Sequence, residues 1–107
     1  MSSNTSQFPQ PDLKRAEALV DTDTRERYAL SGERITIGRD RDNSICLEHD
    51  VYVSGHHAQV YFERETCFLR DLGSRNSTLV NNVAIAGAVK VKQGDIITIG
   101  RTKLVVE

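Results

Sequence analysis

From Arg27 onward, short apolar runs alternate with turn-forming residues. Tyr28-Ala29-Leu30 stops at Ser31-Gly32, and Arg34-Ile35-Thr36-Ile37 stops at Gly38. His57 to Phe62 alternates strictly, with Ala58, Val60 and Phe62 on one face and His57, Gln59 and Tyr61 on the other. A period of two is the signature of a strand with one face buried. Further strand-like runs are Ile45-Cys46-Leu47, Cys67-Phe68-Leu69, Thr78-Leu79-Val80, Val89-Lys90-Val91, Ile96 to Ile99 and Lys103 to Val106. Between Val80 and Val83 stands Asn81-Asn82, a pair suited to a two-residue hairpin because Asn tolerates the left-handed conformation such turns need. Gly100-Arg101 predicts a final hairpin. Turn signals recurring every eight to twelve residues predict an all-β sandwich or barrel. Ala16 to Val20 is open between a short helix capped by Asp12 and a strand.

Length fits this pattern. A chain of 107 residues makes one domain, and roughly 60–70% of its unfolded surface can be buried. Residues 1–15, rich in Ser, Asn, Gln and Pro, predict a flexible tail, which leaves 16–107 as the domain. Fourteen Lys and Arg against 15 Asp and Glu give 14 − 15 = −1. That balance argues against holding nucleic acid or membrane by bulk positive charge. Met1 to Gln10 lacks the apolar run of a secretory signal, and no stretch approaches the ~20 apolar residues of a membrane span. The expectation is a cytoplasmic protein, with Cys46 and Cys67 as two buried thiols; a single disulfide is the alternative.

The candidate chemistry lies in three loops. In Gly38-Arg39-Asp40-Arg41-Asp42-Asn43, Arg39 offers a fork of donors to an anion, or joins an ordinary Arg–Asp surface network. Ser54-Gly55-His56-His57 admits four readings. Ser54 and His57 form a nucleophile and base, although no nucleophile elbow is present. Cys46, His49, His56 and His57 bind zinc, although neighbouring strand residues point to opposite faces. His57 braces the loop, or Ser54 and Gly55 present a hydroxyl and a backbone N–H to an anion. In Asp71-Leu72-Gly73-Ser74-Arg75-Asn76-Ser77-Thr78, turn formers surround Asn76, whose amide donates and accepts at once and so suits a peptide main chain.

Taken in order, these segments resemble the forkhead-associated (FHA) domain. The resemblance rests on Gly38-Arg39, Ser54-Gly55-His56-His57, Ser74-Arg75-Asn76-Ser77-Thr78-Leu79-Val80-Asn81, Gly94-Asp95 and Ile99-Gly100, and covers about residues 16–107. It implies a β-sandwich of about eleven short, mostly antiparallel strands with binding loops at one end, like a small bacterial single-domain member. It also implies a phosphothreonine-reading adaptor with no catalytic activity, cofactor or metal. The partner would be a phosphothreonine-containing protein, a Ser/Thr kinase or its substrate, with neither nucleic acid nor membrane insertion. By the resemblance Arg39 and Ser54 contact phosphate, beside Gly55. Asn76 holds the peptide main chain and Arg75 stands beside it. Gly38, His57 and Asn81 structure the loops, with Arg41 and His56 as auxiliary cations.

Three positions depart from the family pattern. Gly55 replaces a polar side chain, Ser77 replaces a Gly, and Asn82 replaces the last Gly. A positive φ at Ser77 would be strained. Gly55 and Ser77 motivate a rival expectation, a phospho-independent interaction module with a degenerate pocket. Some proteins of the family the chain resembles carry a phosphorylatable Thr in an N-terminal tail that folds back onto their own domain. By that resemblance Thr5, Thr22 and Thr24, in polar segments, are candidates for self-regulatory phosphorylation, and if Ala16–Val20 is a strand, Thr22 and Thr24 become the poorer ones.

Overall fold

The computed structural model describes residues 15–107. Eleven strands run β1 (Ala18–Asp21), β2 (Arg27–Ala29), β3 (Arg34–Gly38), β4 (Ile45–Cys46), β5 (Ala58–Glu63), β6 (Thr66–Asp71), β7 (Thr78–Val80), β8 (Val83–Ala84), β9 (Val89–Val91), β10 (Ile96–Ile99) and β11 (Thr102–Val106). They form a six-stranded sheet, β2-β1-β11-β10-β7-β8, and a five-stranded sheet, β4-β3-β5-β6-β9. Every pairing is antiparallel except β3 with β4. The expected all-β sandwich is what the chain forms.

The two sheets meet through alternate residues. Ile35, Ile37, Val60 and Leu69 from one sheet pack with Leu19, Ile97, Ile99, Leu104 and Val106 from the other, all fully or nearly fully buried. Each such aliphatic side chain contributes about 1.5–3 kcal/mol on burial. The ambiguous segment at Ala16 resolves as strand. β1 pairs with both β2 and β11, and its burial pattern places Ala18, Leu19 and Asp21 inside. Thr22 and Thr24 consequently sit in the tight turn after β1, where the Thr24 N–H donates to Asp21 Oδ1 and Thr24 Oγ1 accepts from the Glu26 N–H. Thr5 and the expected tail lie outside the described residues, apart from Arg15. The Arg15 guanidinium stacks 3.7 Å from the Phe62 ring centroid and donates to Gly32 O.

Asn81 and Asn82 make the predicted two-residue hairpin, with φ of 50° and 71° and Val80 opposite Val83. Both thiols are free. Cys67 is buried, and that burial pushes its thiol up to about 11. Cys46, expected to be buried, is only half-buried, because β4 is two residues long and, among the described residues, forms the edge of its sheet.

Candidate functional site

Three connections converge where β3 ends, β5 begins and β6 ends: 39–44, 47–57 and 72–77. The first two are laced by main-chain bonds. Arg39 N–H donates to Ser54 O at 2.9 Å, and Asp40 N–H donates to Gly55 O at 3.2 Å. Asn43 is 7% exposed, and its Nδ2 donates to both Asp40 O (2.8 Å) and Gly55 O (2.7 Å). Gly38 lies beneath this seam. A Cβ there would stand 2.1 Å from Gly55 O, so the position must be Gly for lack of space, whatever its backbone conformation.

His57 ties the second connection to the third. Its ring is fully buried. Nδ1 accepts from the Ser54 N–H at 3.0 Å, so the proton resides on Nε2, which donates to Ser77 O at 2.8 Å. The ring is occupied at both nitrogens by main chain. It takes the Ser54 N–H and not the Ser54 hydroxyl, which is not the geometry of a nucleophile and its base. The zinc quartet is not assembled either, since Cys46 Sγ lies 3.5 Å from Arg39 O and both His57 nitrogens are used. Among the described residues the ligand atoms that converge belong to Asp40, Asp42 and His56, all exposed.

The third connection is built on Asp71. Its Oδ2 accepts from the Gly73 and Ser74 N–H groups, both at 2.9 Å, while Oδ1 accepts from Ser74 Oγ and from Thr78 Oγ1 at 2.7 Å. Burial pushes the Asp71 carboxyl up, but the Ser74, Thr78 and Gly73 donors outweigh it and hold it below the usual range. On this frame Arg75 N–H donates to Ser54 Oγ at 3.0 Å, and Asn76 Nδ2 donates to Tyr52 O at 2.8 Å. Each bond fixes an orientation. Ser54 Oγ, having accepted, keeps its own O–H to donate outward. Asn76, with one N–H committed, keeps its Oδ1 and second N–H to offer.

Arg39, Ser54, Gly55, Arg75 and Asn76 are thus brought together. Among the described residues, neither the Arg39 nor the Arg75 guanidinium has a carboxylate partner. The auxiliary cations are placed differently. Arg41 Nε pairs with Glu48 at 3.2 Å, and His56 Nε2 lies 3.1 Å from the Asp42 carboxylate, with Nδ1 4.0 Å from Asp40. Asp40 also fills the space a side chain at Gly55 would take, 2.8 Å from the Cβ position. Asn81 stands apart at the far side of the hairpin, donating to Asp95 Oδ1 and accepting from the Ile96 N–H. Beyond Tyr52 a groove of about 330 Å³ opens between Val51, His49, Thr24 and Arg101, whose guanidinium stacks 4.6 Å from the Tyr52 ring.

Sequence reasoning missed Asn43 and passed over Asp71 as a mere turn former. The Asp-x-Gly-Ser spacing is a signal for an Asp side chain capping its own turn.

The family profile described as FHA domain matches residues 35–100. The chain is 33% identical over 81 residues to the FHA domain-containing protein FhaB of Mycobacterium tuberculosis, covering 76% of this chain and 52% of that one. It is 37% identical over 79 residues to the glycogen accumulation regulator GarA of the same organism, covering 74% and 48%. It therefore spans about half the length of these curated relatives. Among solved structures, Mycobacterium tuberculosis EmbR in complex with a low-affinity phosphopeptide superposes with a TM-score of 0.82 at 30% identity, over 87% of this chain and 24% of that one. The FhaA FHA domain, solved in complex with the intracellular domain of another protein, superposes with a TM-score of 0.78 at 30% identity, over 84% and 98%.

Proposed function

The chain belongs to the FHA domain family, and from that premise we propose that it is a non-catalytic adaptor that reads phosphothreonine on a partner protein. The observation that carries this reading is the convergence of Arg39, Ser54 and Asn76 on one loop end, with the Arg39 main chain tied to Ser54 and the Ser54 and Asn76 side chains each oriented by a bond to a neighbouring loop.

Phosphothreonine brings close to two negative charges and three acceptor oxygens. Arg39 supplies the charge-assisted donor, roughly twice as strong as a neutral one. Ser54 supplies an O–H, while at Gly55 the Asp40 carboxylate takes the place a side chain would fill. Asn76 holds the ligand's backbone, with Arg75 beside it for flanking residues. Gly38, His57 and Asn43 do not touch ligand; they hold the loops so that little ordering remains to be done on binding. In this reading Arg41 and His56 serve their own carboxylates first, so selectivity rests on a few aimed donors and not on a broad positive field. The partner is a Ser/Thr kinase or one of its substrates, met in the cytoplasm, and the domain comprises residues 16–107.

The test is capture of partners from lysate, with and without phosphatase treatment, by wild type and by Arg39→Ala. Capture that disappears on either change supports the reading. A partner retained equally in all four arms refutes it and favours a phospho-independent module.

A further inference from the structure

The outer face of the five-stranded sheet carries a cross-strand row that the loop site does not use. Arg34 stands opposite Tyr61, Tyr61 opposite Phe68, and Phe68 opposite Lys90. The four residues cross β3, β5, β6 and β9 in register. Alternation places them outward, since their neighbours Ile35, Val60, Cys67, Leu69 and Val91 are buried. Tyr61 and Phe68 stack on each other, with ring centroids 5.3 Å apart and planes at 15°. Arg34 and Lys90 end the row, both exposed. One row nearer the loop end, exposed Arg70 donates to the neutral Gln59 Oε1 at 3.0 Å. Among the described residues none of these three cations has a carboxylate partner. Outward-facing Glu63, at the far end of β5, is the anion nearest along the strand. A face with three unpaired cations therefore stands on a chain whose net charge is −1.

From this row we propose that the outer face of the five-stranded sheet docks an acidic, aromatic-bearing segment of a partner protein. The spacing specifies its chemistry. Three strand gaps of about 4.8 Å separate the ends of the row by about 14 Å. An extended peptide crossing the strands covers that span in about four residues. Carboxylates at its first and fifth positions meet Arg34 and Lys90, and an apolar or aromatic side chain at its centre meets the Tyr61–Phe68 pair. Nucleic acid fits less well. Three cations neutralise only about three phosphates, which gives weak attachment to a polyanion. Three basic groups fall short of the clusters of about four to eight that attach a protein to an anionic membrane surface. The contact stands independently of phosphothreonine reading. It lies about 17 Å along β3 from Arg39, close enough for one partner to use both.

The test is a titration of isotope-labelled protein with a short peptide containing Glu-Ser-Phe-Ser-Glu, followed by amide chemical shifts. The expected result is movement of Arg34, Tyr61, Phe68 and Lys90 amides with Arg39, Ser54 and Asn76 unmoved. Arg34→Glu/Lys90→Glu should weaken binding at least about tenfold, as should Arg34→Gln/Lys90→Gln, whose dispersed spectra verify folding. Equal shifts with a Gln-Ser-Phe-Ser-Gln peptide would overturn the proposal. So would undiminished binding by either double variant, the absence of shifts on this face, or displacement of the peptide by a lower concentration of an oligothymidylate or of phosphatidylserine vesicles.

Discussion

Ser77 is held at φ 65°, in the left-handed region, at a point where its carbonyl receives the Nε2–H of buried His57. A residue with a Cβ is disfavoured there by roughly 1–2 kcal/mol. Ser77→Gly removes that strain but loosens the unfolded chain, which takes back about 0.4–1 kcal/mol. The net expectation is a gain of about 0.5–1 kcal/mol, or roughly 2–6 °C in Tm for a domain of this size. The carbonyl is unchanged, so the His57 brace and the loop end should survive, and phosphopeptide affinity should stay within about twofold. Ser77→Ala is the control, because it removes the hydroxyl and keeps the Cβ. Its stability should lie within about 0.5 kcal/mol of wild type. Urea denaturation of the three proteins decides the matter, with m values checked for constancy. A Gly variant less stable than wild type would refute the argument, and so would an Ala variant that gains as much as Gly.

Gly38→Ala should cost about 2 kcal/mol or more and weaken phosphopeptide binding, since the new Cβ meets Gly55 O and Asn43 Nδ2 and both belong to the loop seam; a urea midpoint equal to wild type would contradict this. Asp50, Asp71 and Asp95 share one acid-sensitive design. Burial raises each carboxyl, and hydrogen-bond donors (Thr102 on Asp50, Ser74 on Asp71, the Lys92 N–H on Asp95) outweigh it, so each ends below 3.8. A folded-state value below the unfolded one gives stability that is complete above the unfolded value and is lost as pH falls through the folded one. Stability should therefore hold steady down to about pH 5 and drop below about pH 4, and a melting curve unchanged at about pH 2.5 would contradict the linkage. Asp40→Asn removes a carboxylate packed beside Gly55 and should tighten phosphopeptide binding two- to fivefold, about 0.5–1 kcal/mol of relieved repulsion; weaker binding in calorimetry would show that Asp40 helps hold the loop.

Local pattern carried much of the fold. The alternation at Arg34–Ile37 and His57–Phe62, and the Asn81-Asn82 turn, depend on residues close in the chain, and each appears as expected. β8 is implied only by the Asn81-Asn82 hairpin, since Val83 and Ala84 are both exposed and show no buried face to alternate against. Ala16–Val20 stayed open because one short apolar run satisfies either period, and only pairing with β2 and β11 decides it. The parallel pairing of β3 with β4 and the strand order of each sheet are likewise long-range facts.

The site divides the same way. Arg39, Ser54 and Asn76 stand out because donors in loops are conspicuous. Asn43 does not, for its role arises only when Gly55 O arrives from a distant loop. Gly38 was expected to shape a turn, and its actual constraint, the approach of that same carbonyl, has no local signature.

The central claim is that the loop end distinguishes phosphothreonine from threonine through Arg39. Calorimetric titration with one peptide in its phosphorylated and unmodified forms, against wild type and Arg39→Ala, tests it most directly. Binding only of the phosphorylated peptide, weakened at least about tenfold in the variant by loss of a charge-assisted donor, is the predicted result. Equal affinity for both peptides, or an Arg39→Ala protein that binds as tightly as wild type, would contradict it.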